Sequence, residues 1–205
     1  MRPGPAAVIF DMDGVLCRYD FDRRLALMAE MTGVEAKTIK RVIFDEGFDE
    51  SADSGGYSAE SYHEEFCRRL GAPLSVEQWL EARAKSMQPN LAVLDMARRV
   101  ALDRKVAMLT NNGPLLEAHI DRVFPDVSET FGEHVYFSCS LGAAKPQVQA
   151  FQRVTERLQA SPAESLFIDD SAEYVAGAVA AGLMAHHFQS IGELEAELRG
   201  YGLLA

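Results

Sequence analysis

Residues 6–16 read Ala-Ala-Val-Ile-Phe-Asp-Met-Asp-Gly-Val-Leu. An apolar run with strand character ends in two carboxylates, Asp11 and Asp13, and a glycine follows. Aspartate is a poor strand former, so a pair at a strand's end calls for a reason other than folding. In an open α/β sheet the carboxyl ends of parallel strands face the ligand crevice. The pair is therefore expected in a site, where one carboxylate can attack phosphorus and the other can supply or take a proton.

Outward from this stretch, short apolar runs alternate with helical patterns. Residues 6–10, 106–110, 135–138, 166–169 and 183–186 read as buried strands, and 90–102, 113–123, 147–158, 172–181 and 191–200 as helices. This alternation predicts an α/β fold with a Rossmann-like parallel sheet core flanked by helices. It is broken once, between Val15 and Met87, where helical patterns at 21–31, 35–44, 59–70 and 76–87 come without a convincing strand. Asp53-Ser-Gly-Gly and Gly71-Ala-Pro separate them, and Ser75 with Gln78 reads as a capping box. The expected organisation is a core of residues 1–15 and 88–205, with a helical insertion, 16–87, hung on the first strand–helix connection.

Composition narrows the function. With 31 acidic and 20 basic residues the formal charge is −11, which argues against nucleic acid as a partner. An acidic protein with clustered aspartates must hold an anionic substrate by local means: a divalent cation, a lysine, backbone donors. No apolar run approaches the ~18 residues of a membrane span, and the start of the chain lacks the pattern of a signal peptide. Cys17, Cys67 and Cys139 are odd in number and scattered, so neither a disulfide framework nor zinc spacing is present. A reducing cytoplasmic setting is the expectation.

Four polar features fall at the ends of expected strands: Asp11-Met-Asp13-Gly, Thr110-Asn111-Asn112-Gly, Ala144-Lys145-Pro146 and Asp169-Asp170-Ser171. Each alone has a plain reading as a loop, turn or helix cap. As an ordered series after hydrophobic strands, the set resembles the haloacid dehalogenase superfamily, in its Mg²⁺-dependent phosphatase branch with a helical C1-type cap. The segment after the first motif is similar to sugar-1-phosphate phosphatases and to the phosphatase domain attached to some epoxide hydrolases.

The resemblance implies roles for individual residues. Asp11 would be the nucleophile that forms an aspartyl-phosphate. Asp13 would be the general acid and then the general base. Thr110 and the Asn111 backbone would bind the transferring phosphoryl group, and Lys145 would hold both nucleophile and phosphate. Asp11, the carbonyl of Asp13 and Asp170 would bind Mg²⁺, with Asp169 a further ligand or a support. The implied reaction is hydrolysis of phosphate monoesters of small metabolites, sugar phosphates first. Asp13 disfavours dehalogenation; a phosphomutase on the same core and a non-catalytic phosphometabolite-binding protein are the alternatives. Asp20, Asp22, Arg23 and Arg24 read as a solvated helix start, Arg18 and Tyr19 as candidates to face the substrate, and His186 and His187 are given no role. Oligomeric state is left open.

Overall fold

The computed structural model describes residues 4–204. Seven strands form in chain order: β1 (Ala7–Phe10), β2 (Cys17–Tyr19), β3 (Met87–Pro89), β4 (Lys105–Thr110), β5 (Val135–Phe137), β6 (Ser165–Asp169) and β7 (Met184–His187). Five of them make a parallel sheet in the order β5-β4-β1-β6-β7. The residues of β1 and β6, and all of β4 but Lys105, are buried, as strands covered on both faces must be.

Side-chain alternation sorts these strands into two layers of core. Val8, Phe10, Val106, Met108, Leu166 and Ile168 point into one, which continues into the insertion. Ala7, Ile9, Ala107, Leu109 and Phe167 point into the other, against Phe151, Val154 and Ala178 of the Val148–Arg157 and Ala172–Ala180 helices. The helix Ala172–Ala180 approaches the loop carrying Lys145 at Gly177, where a Cβ would stand 2.5 Å from the Pro146 carbonyl oxygen.

The insertion holds helices Phe21–Thr32, Ala36–Ile39, Phe48–Asp53, Ala59–Leu70 and Val76–Lys85, with a π-helical segment Lys40–Asp45. The side chain of Asp20 caps the first, and Ser58 with Ser61 and Ser75 with Gln78 form reciprocal capping boxes on the last two. Trp79, Phe66, Phe48 and Tyr62 pack in its interior.

Four sequence expectations need correction. The insertion is not free of strand: β2 and β3 pair antiparallel, Cys17 opposite Pro89 and Tyr19 opposite Met87. Three-residue strands are too short to print a period-two pattern. The helix expected over 113–123 breaks into Pro114–Glu117 and Ile120–Val123, and a further helix, Pro125–Phe131, follows directly. Ser138 does not end β5 but opens the short helix Ser138–Leu141. Arg24 is not solvated; it is 5% exposed and lies over the Trp79 ring, Cζ to centroid 4.7 Å.

Candidate active site

Chain order and sheet order together locate the site. From β1 the chain builds outward through β4 and β5, then crosses back to β6 and β7 on the other side of β1. The carboxyl end of β1, between β4 and β6, is thus the topological switch point where α/β sheets open a crevice. Asp11 follows β1, Thr110 ends β4 and Asp169 ends β6, so three of the four polar features converge there by topology alone.

Lys145 joins them from the loop before the Val148–Arg157 helix. Its Nζ donates to Asp11 Oδ1 at 2.6 Å and to Asp169 Oδ2 at 2.7 Å, and its side chain is 1% exposed. Its backbone is pinned by Asn111, whose Oδ1 accepts from Lys145 N at 2.9 Å and whose Nδ2 donates to Lys145 O at 2.8 Å. The Asn111 side chain thus fixes the lysine loop. Burial disfavours the ammonium, yet Asp11 and Asp169 hold Lys145 above its ordinary range. Burial likewise pushes the Asp11 carboxyl up, to about 7, with Lys145 resisting and Asp169 adding to the rise.

Asp13 is held differently. Its Oδ2 accepts from Arg83 Nη2 at 2.5 Å and from Asn112 Nδ2 at 3.3 Å, while Oδ1 receives only the Cys17 thiol at 3.5 Å. Asn112 also donates to Thr110 Oγ1 at 2.8 Å, tying the end of β4 to the second aspartate. Burial and the neighbouring Asp13 push the Cys17 thiol far up, so it stays protonated.

Asp11, Asp169 and Asp170 each offer a carboxylate oxygen within 4.8 Å of the others. One ammonium, Lys145, faces these three carboxylates, and hard oxygen donors at this spacing fit a small divalent cation. Both oxygens of Asp169 are already engaged, by Lys145 and by the Ser171 backbone N–H at 2.8 Å. Asp170 is the exposed member of the three; partial desolvation of its carboxylate, with Asp169 alongside, raises its pKa. The Asp13 carboxylate lies outside this cluster. His187, given no role from sequence, contacts the Asp170 carbonyl through Nε2 at 2.9 Å.

A cavity of about 450 Å³ opens over this edge, lined by Asp13, Gly14, Asp170, Arg18, Tyr19 and Gln88 among others. Arg18 and Gln88 are cross-strand partners on β2 and β3. Sequence reasoning missed Arg83, Asn112 and Asp53. Asp53 lies beside Gly113, and burial with Asp49 and Glu50 nearby pushes it up to about 8. The signal for Arg83 was its place on a helix face with Trp79, Leu80 and Ala82, all buried.

The switch point of this parallel α/β core thus gathers paired aspartates, a buried lysine and an acidic cluster. Residues 5–182 match the family model of haloacid dehalogenase-like hydrolases, and the chain belongs to that family. It is 30% identical over 189 residues to Phosphatase MT3486 of Mycobacterium tuberculosis, covering 88% of this chain and 86% of the relative. It is 23% identical to the sesquiterpene phosphatase astK of Aspergillus oryzae, covering 88% of each. Its fold is that of the HAD family enzyme bt-2542 from Bacteroides thetaiotaomicron in its magnesium complex (TM-score 0.79, 24% identity, 96% of this chain and 98% of that one). A structure of that enzyme with magnesium and inorganic phosphate is also similar (TM-score 0.74, 21% identity, 91% and 95% covered). Among the described residues no helix is long and apolar enough to cross a membrane.

Proposed function

We propose that this chain is a phosphatase that hydrolyses phosphate monoesters of small metabolites, sugar phosphates foremost. Asp11 is the nucleophile. The observation that carries the reading is the buried lysine between two aspartates at the switch point, with a third carboxylate, Asp13, two residues from the first. The phosphatase relative at 30% identity supports the same reading.

Asp11 attacks phosphorus through a carboxylate oxygen while the bond from phosphorus to the alcohol oxygen breaks. Asp13 gives its proton to the departing alkoxide. Asp13 then takes a proton from water, the water oxygen attacks phosphorus, and the bond to Asp11 breaks to release phosphate. Lys145 opposes the effect of burial on Asp11, favouring its ionised form, and orients it, and Thr110 lines the phosphoryl position. Mg²⁺ held by Asp11, Asp170 and the Asp13 carbonyl, with Asp169 in support, would neutralise charge on the phosphoryl oxygens. Without such neutralisation, two unit charges at ~4 Å repel by roughly 4 kcal/mol at an effective dielectric near 20.

Residues 16–87 act as the cap in this reading and surround the leaving group. The test is turnover of 4-nitrophenyl phosphate, then of a panel of sugar, polyol and isoprenoid phosphates, each with Mg²⁺ and with chelator. Chelator-sensitive turnover with sugar phosphates preferred is expected. Preference for an isoprenoid phosphate would refute the sugar assignment, and no turnover of any would refute the phosphatase.

Gly14 offers a finer check of the metal position. It has φ +94°, and a Cβ there would stand 2.2 Å from Asp170 Oδ2. Gly14→Ala must displace the Asp170 carboxylate, so the Mg²⁺ concentration for half-maximal rate should rise by roughly tenfold or more. An unchanged metal titration would remove Asp170 from the ligand set.

A further inference from the structure

We propose that Arg83 is the positioning residue for Asp13: from the inserted helices it fixes which oxygen of the acid–base carboxylate exchanges the proton. The inference rests on the phosphatase reading and goes beyond it.

Arg83 lies on the Val76–Lys85 helix, 70 residues along the chain from Asp13, and its side chain is 1% exposed. Burying a guanidinium is costly unless it is paired. A methionine beside Trp79 and Leu80 would fill the same place with no such cost. Here the charge has one ion-pair partner, Asp13, at 2.5 Å, while Nε and Nη1 have none. Tyr19 covers the flat side of the group, its ring centroid 3.9 Å from Cζ. Helix and ring together hold the fork in one orientation.

The consequence falls on the two oxygens of Asp13. Oδ2 carries both N–H donors, the Arg83 guanidinium at 2.5 Å and the Asn112 amide at 3.3 Å; Oδ1 has only a thiol at 3.5 Å. A thiol is a weak donor. Oδ2 is thus clamped, and Oδ1 is the oxygen free to give a proton to the alcohol and take one from water. Asp13 and Tyr19 both line the cavity over the site, so Arg83 stands one side chain behind its wall and acts through Asp13.

The experiment compares kcat/KM for 4-nitrophenyl phosphate, whose leaving group needs little protonation, with that for an alkyl phosphate, whose leaving group needs it fully. Arg83→Met should lower the alkyl value roughly 100-fold, the scale of a misplaced catalytic group, and the aryl value only about 3-fold. Arg83→Lys, which keeps the charge without the fork, should recover about 10-fold of the alkyl loss. In an Asp13→Asn background Arg83→Met should cost no more than about 2-fold further. Equal losses on both substrates, or a full further loss in the Asp13→Asn background, would overturn the proposal. If Arg83→Met does not fold, Arg83→Lys in both backgrounds decides by the same two comparisons. A wild-type protein inert with Mg²⁺ toward 4-nitrophenyl phosphate and every phosphate of the panel would sink the phosphatase reading along with this one, a result unlike uniform loss in an active enzyme.

Discussion

Asp11→Asn should fold normally and turn over nothing. Loss of a nucleophile costs on the order of 10⁴-fold or more in kcat, and an amide cannot form the covalent intermediate. Incubation with substrate should therefore yield no acid-stable phosphoenzyme where the wild type yields one. Stability should move the other way. Burial lifts the Asp11 carboxyl to about 7 in the metal-free chain, against an ordinary 3.8. Between those values the folded state binds the proton more tightly than the unfolded state, so this group's contribution to stability falls as pH rises from about 4 to about 7. The neutral amide lacks that slope. In the presence of chelator at pH 8, Asp11→Asn should melt at or above the wild-type temperature, and the two should converge near pH 4. Retained turnover in the variant would exclude Asp11 as the nucleophile; a melting point well below wild type would show the carboxylate to be structural.

Lys145→Met should damage both properties at once. Removing the ammonium leaves Asp11 and Asp169, 6% and 0% exposed, facing each other with no cation between them. Breaking a buried ion pair from one side costs about 3–5 kcal/mol, which for a chain of this length lowers Tm by roughly 10 °C. Loss of a preorganised charge at the phosphoryl position should also cut kcat by about 10²–10³-fold. Because the variant is left with uncompensated carboxylates, added Mg²⁺ should raise its Tm more than that of the wild type. Thermal unfolding with and without Mg²⁺ reads this directly, and equal shifts in the two proteins would separate Lys145 from the carboxylate cluster.

Much of this was legible in the sequence, for identifiable reasons. β1, β4 and β6 are buried on both faces, so their apolar runs are unbroken and end abruptly at Asp11, Thr110 and Asp169. A strand boundary marked by a charge is a strong local signal. Lys145 could be placed in order but not in space, since its partners lie 134 and 24 residues away. That the Asn111 side chain holds the lysine loop was not legible, because a carboxamide's two-way pairing with a distant backbone leaves no trace in spacing. Arg24 and Arg83 were harder still. Polar residues on otherwise apolar helix faces read as surface until the packing of Trp79, Tyr19 and Phe44 encloses them.

The pairing of β2 with β3 has an evolutionary consequence. Where the chain leaves the core at Cys17 and returns at Pro89, the two residues are direct neighbours in a ladder. The entropy of closing such an excursion grows only as the logarithm of its length, about 0.6 kcal/mol per doubling. The chain's covalent path in and out of the insertion is thus closed by a three-rung ladder, while the shared core layer and the Arg83–Asp13 pair tie its helices to the sheet. A segment of different length can close there at little entropic cost, but only one that rebuilds the shared packing and supplies a new partner for Asp13 leaves the carboxylate placed as it is here.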